Sequence, residues 1–93
     1  MRIEIKKFGE LLLSPSDGQR AFLTMQSDLL KNIPSDELIE LDFSGVKALA
    51  PSWAKEVLFE IAEKFKNVKL LNTENETVQA TLKTLREYSD LKI

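Results

Sequence analysis

Between Ile39 and Phe65 the apolar period of this chain changes from two to about 3.6, and that change restricts the fold more than any other feature. Ile39, Leu41 and Phe43 alternate with Glu40 and Asp42, the pattern of a strand with one buried face. Gly45 marks a turn. From Pro51 to about Lys66, the residues Ala54, Val57, Leu58, Ile61 and Phe65 recur at helical spacing and form one apolar stripe. A strand therefore passes through a short loop into a helix, and Ser52 stands at the positive end of that helix.

The flanking segments repeat the theme. Ile3 and Ile5 alternate with Arg2, Glu4 and Lys6, so residues 2–7 read as a half-buried strand, closed by a Phe8-Gly9 turn. Leu11 to Leu13 suits a further short strand. Ser14-Pro15-Ser16-Asp17 opens a helix, with Ser14 as cap, Pro15 in the first turn and Asp17 completing an approximate capping box. Phe22, Met25, Leu29, Leu30 and Ile33 give this helix its stripe, and Pro34 ends it. Gly18 lies in its first turns, where it costs about 0.5–1 kcal/mol relative to alanine. Close packing, a ligand or tolerated drift each account for it. Val68 and Leu70 mark another strand. Thr73-x-x-Glu76 reads as a capping box ahead of a last helix with Val78, Leu82 and Leu85 inward.

Alternation of strands and helices argues a single α/β domain over residues 1–93. The strands alternate in polarity instead of being apolar throughout, so one face of the sheet is expected to stay bare and charged. The expectation is a two-layer arrangement: a mixed four-stranded sheet with about three helices mainly on one face.

Composition removes several functions. A chain of 93 residues with 43% apolar content forms a small core and gains from a partner or a second copy. The net charge is −2 and Lys6-Lys7 is the only adjacent basic pair, which argues against nucleic acid. There is no cysteine for disulfides or thiolate metal sites, and no histidine to act as base or ligand. No apolar run suits a membrane span, and residues 1–13 lack a signal-peptide pattern, so the cytoplasm is the expected location. Glu56, Glu60 and Glu63 read as a solvated helix stripe, without metal spacing. No glycine-rich phosphate loop is present, and no cofactor or enzymatic activity is expected.

The strand–loop–helix unit carries a family resemblance. Leu41-Asp42-Phe43-Ser44-Gly45-Val46, then Pro51-Ser52-Trp53-Ala54-x-Glu56, and the later Asn72 before a capped helix resemble the STAS-like domains of unknown function. These are similar to the domain shared by sulphate transporters and anti-sigma-factor antagonists. The likeness extends loosely from Ser14 to Leu85 and is strongest from Ile39 to Leu58. It implies the STAS-like fold, and a partner that is an ATP-binding kinase or anti-sigma-like regulator. In the antagonists a partner kinase phosphorylates a serine at the helix start, and the modified form releases its partner; that position falls on Ser52. Two positions depart from the antagonist pattern: Ala50 replaces an aspartate, and Trp53 replaces a glycine.

Each candidate has two readings. Ser52 caps the helix, or it carries a phosphate that the first-turn amides stabilise. Glu56, one turn on, suits the helix dipole and would repel such a phosphate. Asp42, Ser44 and Gly45 form a structural loop, with Asp42 either exposed on the open face or accepting from loop amides. Trp53 sits at the margin of the core. Phe59 points away from the helix stripe, as an isolated exposed aromatic or as part of a binding patch. The expected partner-binding surface is Ala48, Ala50, Pro51, Ser52, Trp53, Lys55, Glu56 and Phe59. Two alternatives stand beside this interaction module: a small nucleotide-binding or enzymatic domain at the same loop, and a homodimeric scaffold.

Overall fold

Two-residue alternation decides which face of the sheet is buried. The computed structural model describes the chain from Met1 to Ile93. Strand β1 (Arg2–Glu4), strand β3 (Leu38–Asp42) and strand β5 (Asn67–Leu71) form a parallel sheet in the order β1-β3-β5. The register sets Ile3 beside Leu41 and Leu41 beside Leu70, with Ile39 beside Val68. All five point into the core or pack against it. The opposite face carries the row Arg2, Glu40, Lys69, whose signs alternate across the three strands.

Helix α1 (Pro15–Asp28), helix α2 (Pro51–Lys64) and helix α3 (Glu76–Tyr88) supply the other layer. Met25, Leu58, Ile61, Leu82 and Leu85 share one apolar cluster with Ile3, Ile39 and Leu41, so the helices lie over the apolar face. Leu58 and Ile61 are fully buried. Helix α2 packs against both α1 and α3.

Strand β2 (Leu11–Leu12) and strand β4 (Ala48–Leu49) make a separate parallel pair. The sheet is thus not one mixed set of four strands. There are five strands in two sheets, and every ladder is parallel. The division has a local cause. After β1 the chain enters a 3-10 turn at Ile5–Phe8, closed by Gly9 N–H donating to the Lys6 carbonyl at 3.0 Å. Ile5 is fully buried there, so its hydrophobic demand is met without extending the strand to residue 7.

Helix ends depart from the sequence reading in three places. Helix α1 stops at Asp28, well before Pro34: the Leu29 and Leu30 amides both donate to Met25 O, and Asn32 is left-handed at φ 67°. Leu30 remains buried while Leu29 is exposed. Helix α2 ends at Lys64, because Phe65 has turned to extended backbone at φ −124° and ψ 138°. Helix α3 is capped by Asn75, not Thr73; Asn75 Oδ1 accepts from the amides of Thr77 and Val78 at 2.8 and 3.2 Å. Ser14 caps α1 as its sequence suggests, accepting from the Asp17 amide at 3.2 Å.

Candidate functional site

Asp42 closes the C-terminal end of the central strand and gathers donors from three directions. Its Oδ1 accepts from the Ser44 amide at 2.9 Å and from Asn72 Nδ2 at 2.8 Å. Its Oδ2 accepts from Arg2 Nη2 at 2.8 Å and Nε at 3.3 Å. Arg2 belongs to β1, and Asn72 directly follows β5 in a left-handed conformation at φ 55°. One buried carboxylate therefore ties all three strands and the loop after β3. The Asn72 amide first, then the Arg2 guanidinium and the Ser44 amide, lower the Asp42 pKa from 3.8 to about 2. With its lone pairs occupied in this way, the group is a brace. Gly45 completes the turn at φ 83°, where a side chain would be strained.

The segment before α2 is held from both sides. In and beside β4, the amides of Lys47 and Ala48 donate to Glu10 O, and the Ala50 amide donates to Leu12 O. On the other flank, the Leu49 amide donates to Thr77 Oγ1 at 3.1 Å, and Thr81 Oγ1 donates to Leu49 O at 2.5 Å. Asn75 Nδ2 donates to Lys47 O at 3.2 Å. Residues 48–50 are thus a clamped strand and cap, which fixes the direction in which α2 leaves.

Ala50 is the N-cap of α2 and offers no side-chain acceptor. Pro51 takes the first position and Ser52 the second, so Ser52 is not the cap. Its hydroxyl instead donates to the Leu13 carbonyl at 2.9 Å. Leu13 immediately precedes Ser14, the cap of α1. One half-buried hydroxyl thereby bridges the starts of two helices that are adjacent in space and 39 residues apart in sequence.

The remaining partner-surface candidates separate. Trp53 is fully buried, not marginal, because the face of α2 that carries it lies under α1. Its indole Nε1–H has no acceptor within the chain. Gly18 sits where the helices meet: a β-carbon there would lie 2.8 Å from Trp53 O and 3.0 Å from Glu56 Cβ. Close packing is thus the reason for the glycine. Glu56 is half-buried by this crossing, so it leaves the solvated stripe formed by Glu60 and Glu63. Pro51 and Lys55 are exposed; Ala48 and Ala50 are half-buried. Phe59 is half-buried and packs against the core of its own chain. With α1 and α3 both on α2, the buried arc is wider than one stripe.

Arg2, Leu13, Thr77 and Thr81 were not singled out from sequence as parts of this region. The Arg2 guanidinium reaches Asp42 diagonally across the β1–β3 ladder, and the register that permits this has no local signature. Thr77 and Thr81 sit one turn apart, a spacing that aims two hydroxyls at one short segment. No group of three or more acidic side chains is arranged to hold a metal ion, and no helix is long and apolar enough to cross a membrane.

Five parallel-paired strands in two sheets, three helices over one face and a strand–loop–helix unit braced by Asp42 define an α/β domain of STAS-like type. The chain belongs to the family described as the STAS-like domain of unknown function (DUF4325), whose model matches residues 17–83. No curated protein and no solved structure matches it.

Proposed function

We propose that this domain is a non-catalytic regulatory module that binds a protein partner at the start of α2, with phosphorylation of Ser52 as its switch. Membership of a STAS-like family supports a regulatory role. The observation that carries the switch is the Ser52 hydroxyl bond to Leu13 O at 2.9 Å. A phosphate on Ser52 removes that donor and adds roughly −1.5 to −2 charge beside half-buried Glu56. The bridge between α1 and α2 opens, and the surface offered by Pro51, Ser52 and Lys55 changes shape and sign together. First-turn amides of α2 stabilise the added charge. The partner class follows from the resemblance: an ATP-binding kinase or an anti-sigma-like regulator.

Two measurements test this reading. Protein recovered from its host is analysed by mass spectrometry for phosphate on Ser52. An ATP-binding protein captured on the unmodified domain is then titrated with Ser52→Ala and Ser52→Asp. Ser52→Ala loses the same bond to Leu13 O without adding charge, so it should weaken binding by less than Ser52→Asp does, within the roughly 0.5–1.5 kcal/mol of one hydrogen bond. Ser52→Asp should weaken binding at least about tenfold without unfolding the domain. Equal affinity for both variants refutes the switch.

A further inference from the structure

We propose that the outer edge of β5 is a strand-addition site for an acidic, extended segment of a partner protein. Parity along the ladder shows what this edge offers. The Phe43 amide donates to Leu71 O at 2.9 Å, so the main-chain groups of Leu71, and with it those of Lys69 and Asn67, face β3. Those of Val68 and Leu70 face the other way. Strand β5 pairs with β3 alone, and no turn, tail or side chain bonds to the main chain of Val68 or Leu70. Two amides and two carbonyls thus stand in a row without partners on a strand of five residues. The side chains agree. Val68 and Leu70 point to the inner face yet are only half-buried, whereas Ile39 and Leu41 beside them on β3 are fully buried. The core is open at this margin, where a further strand would lie. The other outer strand, β1, has only three residues and carries both signs of charge.

Charge identifies the occupant. A recess of about 430 Å³ lies at the start of this edge, lined by Leu38, Lys66, Asn67, Val68 and Lys69. It holds two cations and no carboxylate. Both lysines are exposed, and neither forms an ion pair within the chain. Glu40, the neighbour of Lys69 on β3, lies between it and Arg2, on the side away from the edge. Lysines on an outer strand oppose pairing with a second copy, which would bring four of them together. The same charges favour a segment that carries carboxylates. Side chains of an added strand alternate between the two faces. On the inner face, apolar side chains cover Val68 and Leu70; on the outer face, carboxylates reach the recess with Lys66 and Lys69. The partner segment therefore alternates apolar and acidic residues. Main-chain bonds to Val68 and Leu70 supply affinity, and the two lysines supply specificity.

The full chain, labelled with ¹⁵N, is titrated with a blocked heptapeptide of alternating valine and glutamate, and in parallel with its counterpart of alternating valine and lysine. The glutamate peptide should bind with a Kd of about 0.1–1 mM, and about tenfold or more tighter than the lysine peptide. Amide exchange locates the contact. In the free protein the Val68 and Leu70 amides should exchange fast, while those of Lys69 and Leu71, bonded to β3, are protected. Saturating glutamate peptide should slow Val68 and Leu70 by about tenfold or more, a change at alternate residues that charge attraction alone does not produce. The double variant Lys66→Glu/Lys69→Glu should reverse the preference and take the lysine peptide. Lys7→Glu, in the turn after β1 on the opposite side of the sheet, should bind like the parent. Thermal melts by circular dichroism check that each variant folds. Failure of the glutamate peptide to bind, equal binding of the two peptides, or binding that leaves exchange at Val68 and Leu70 unchanged overturns the proposal. Protection of Val68 and Leu70 that grows with protein concentration alone also overturns it, and makes a second copy the occupant.

Discussion

Gly18→Ala tests the helix crossing that sets the position of α2. The added methyl would meet Trp53 O at 2.8 Å, Glu56 Cβ at 3.0 Å and Trp53 Cα at 3.2 Å. Two of these are backbone atoms in the first turn of α2, so no rotamer change moves them. The helices must separate by several tenths of an ångström. Overpacking of this kind costs about 1–3 kcal/mol. Against it, alanine returns about 0.5–1 kcal/mol of helix propensity. The balance is a loss of up to about 2.5 kcal/mol, to be set against the roughly 5–15 kcal/mol that holds a typical domain together. Urea unfolding followed by Trp53 fluorescence measures it, with the midpoint expected to fall at unchanged slope. Because Ser52 leaves the same turn, the separation also loosens its bond to Leu13. A midpoint equal to or above the parent's would show that the helices slide apart freely, and the packing account of Gly18 would be wrong.

Two further outcomes follow from the same structure. The Asp42 pKa is lowered on folding from 3.8 to about 2, so its stabilisation is present in full above about pH 4 and disappears as pH falls through about 2. Discounted for the solvent reaching Arg2, this amounts to about 1–2 kcal/mol; Asp42→Asn should flatten the stability curve between pH 4 and 2, and parallel curves for the two proteins would refute the brace. Phe59→Ser should lower stability by about 1–2 kcal/mol in dilute monomer, since Phe59 packs on the core, whereas a change below about 0.5 kcal/mol would mark it as a surface residue.

The parts of the fold legible in sequence are those written in long periodic runs. Ile39, Leu41 and Phe43 marked the central strand, and Ala54, Val57, Leu58, Ile61 and Phe65 marked the inner face of α2. All eight are buried. The two-residue strand β4 could not be read that way, because Ala48 and Leu49 are too few to show a period. Its existence depends on amides reaching Glu10 O and Leu12 O, contacts nearly forty residues away in sequence. Asn75 took the cap from Thr73 for a related reason. Both sequences can cap, but only Asn75 also reaches Lys47 O across the domain.

The Ser52 region shows why motif and mechanism are read separately. The pattern Pro51-Ser52 located a helix start correctly, since α2 begins at Pro51. It did not say where the hydroxyl would point. In a helix whose cap is alanine, the first-turn amides lack a side-chain acceptor from the cap, and Ser52 is the nearest hydroxyl in sequence. The clamp on residues 48–50 turns Ser52 toward Leu13 instead. The same clamp buries Trp53 and leaves Pro51 and Lys55 exposed. A single rigid element therefore sorts the candidate residues: those on one side of α2 hold the helix in place, and those on the other stay exposed. Asp42 plays the matching role at the other end of the loop, fixing Ser44 while Asn72 and Arg2 secure the adjoining strands. The loop between β3 and α2 is anchored at both ends. A change at Ser52 thus acts on a fixed frame, in which breaking one hydrogen bond alters a defined contact between α1 and α2.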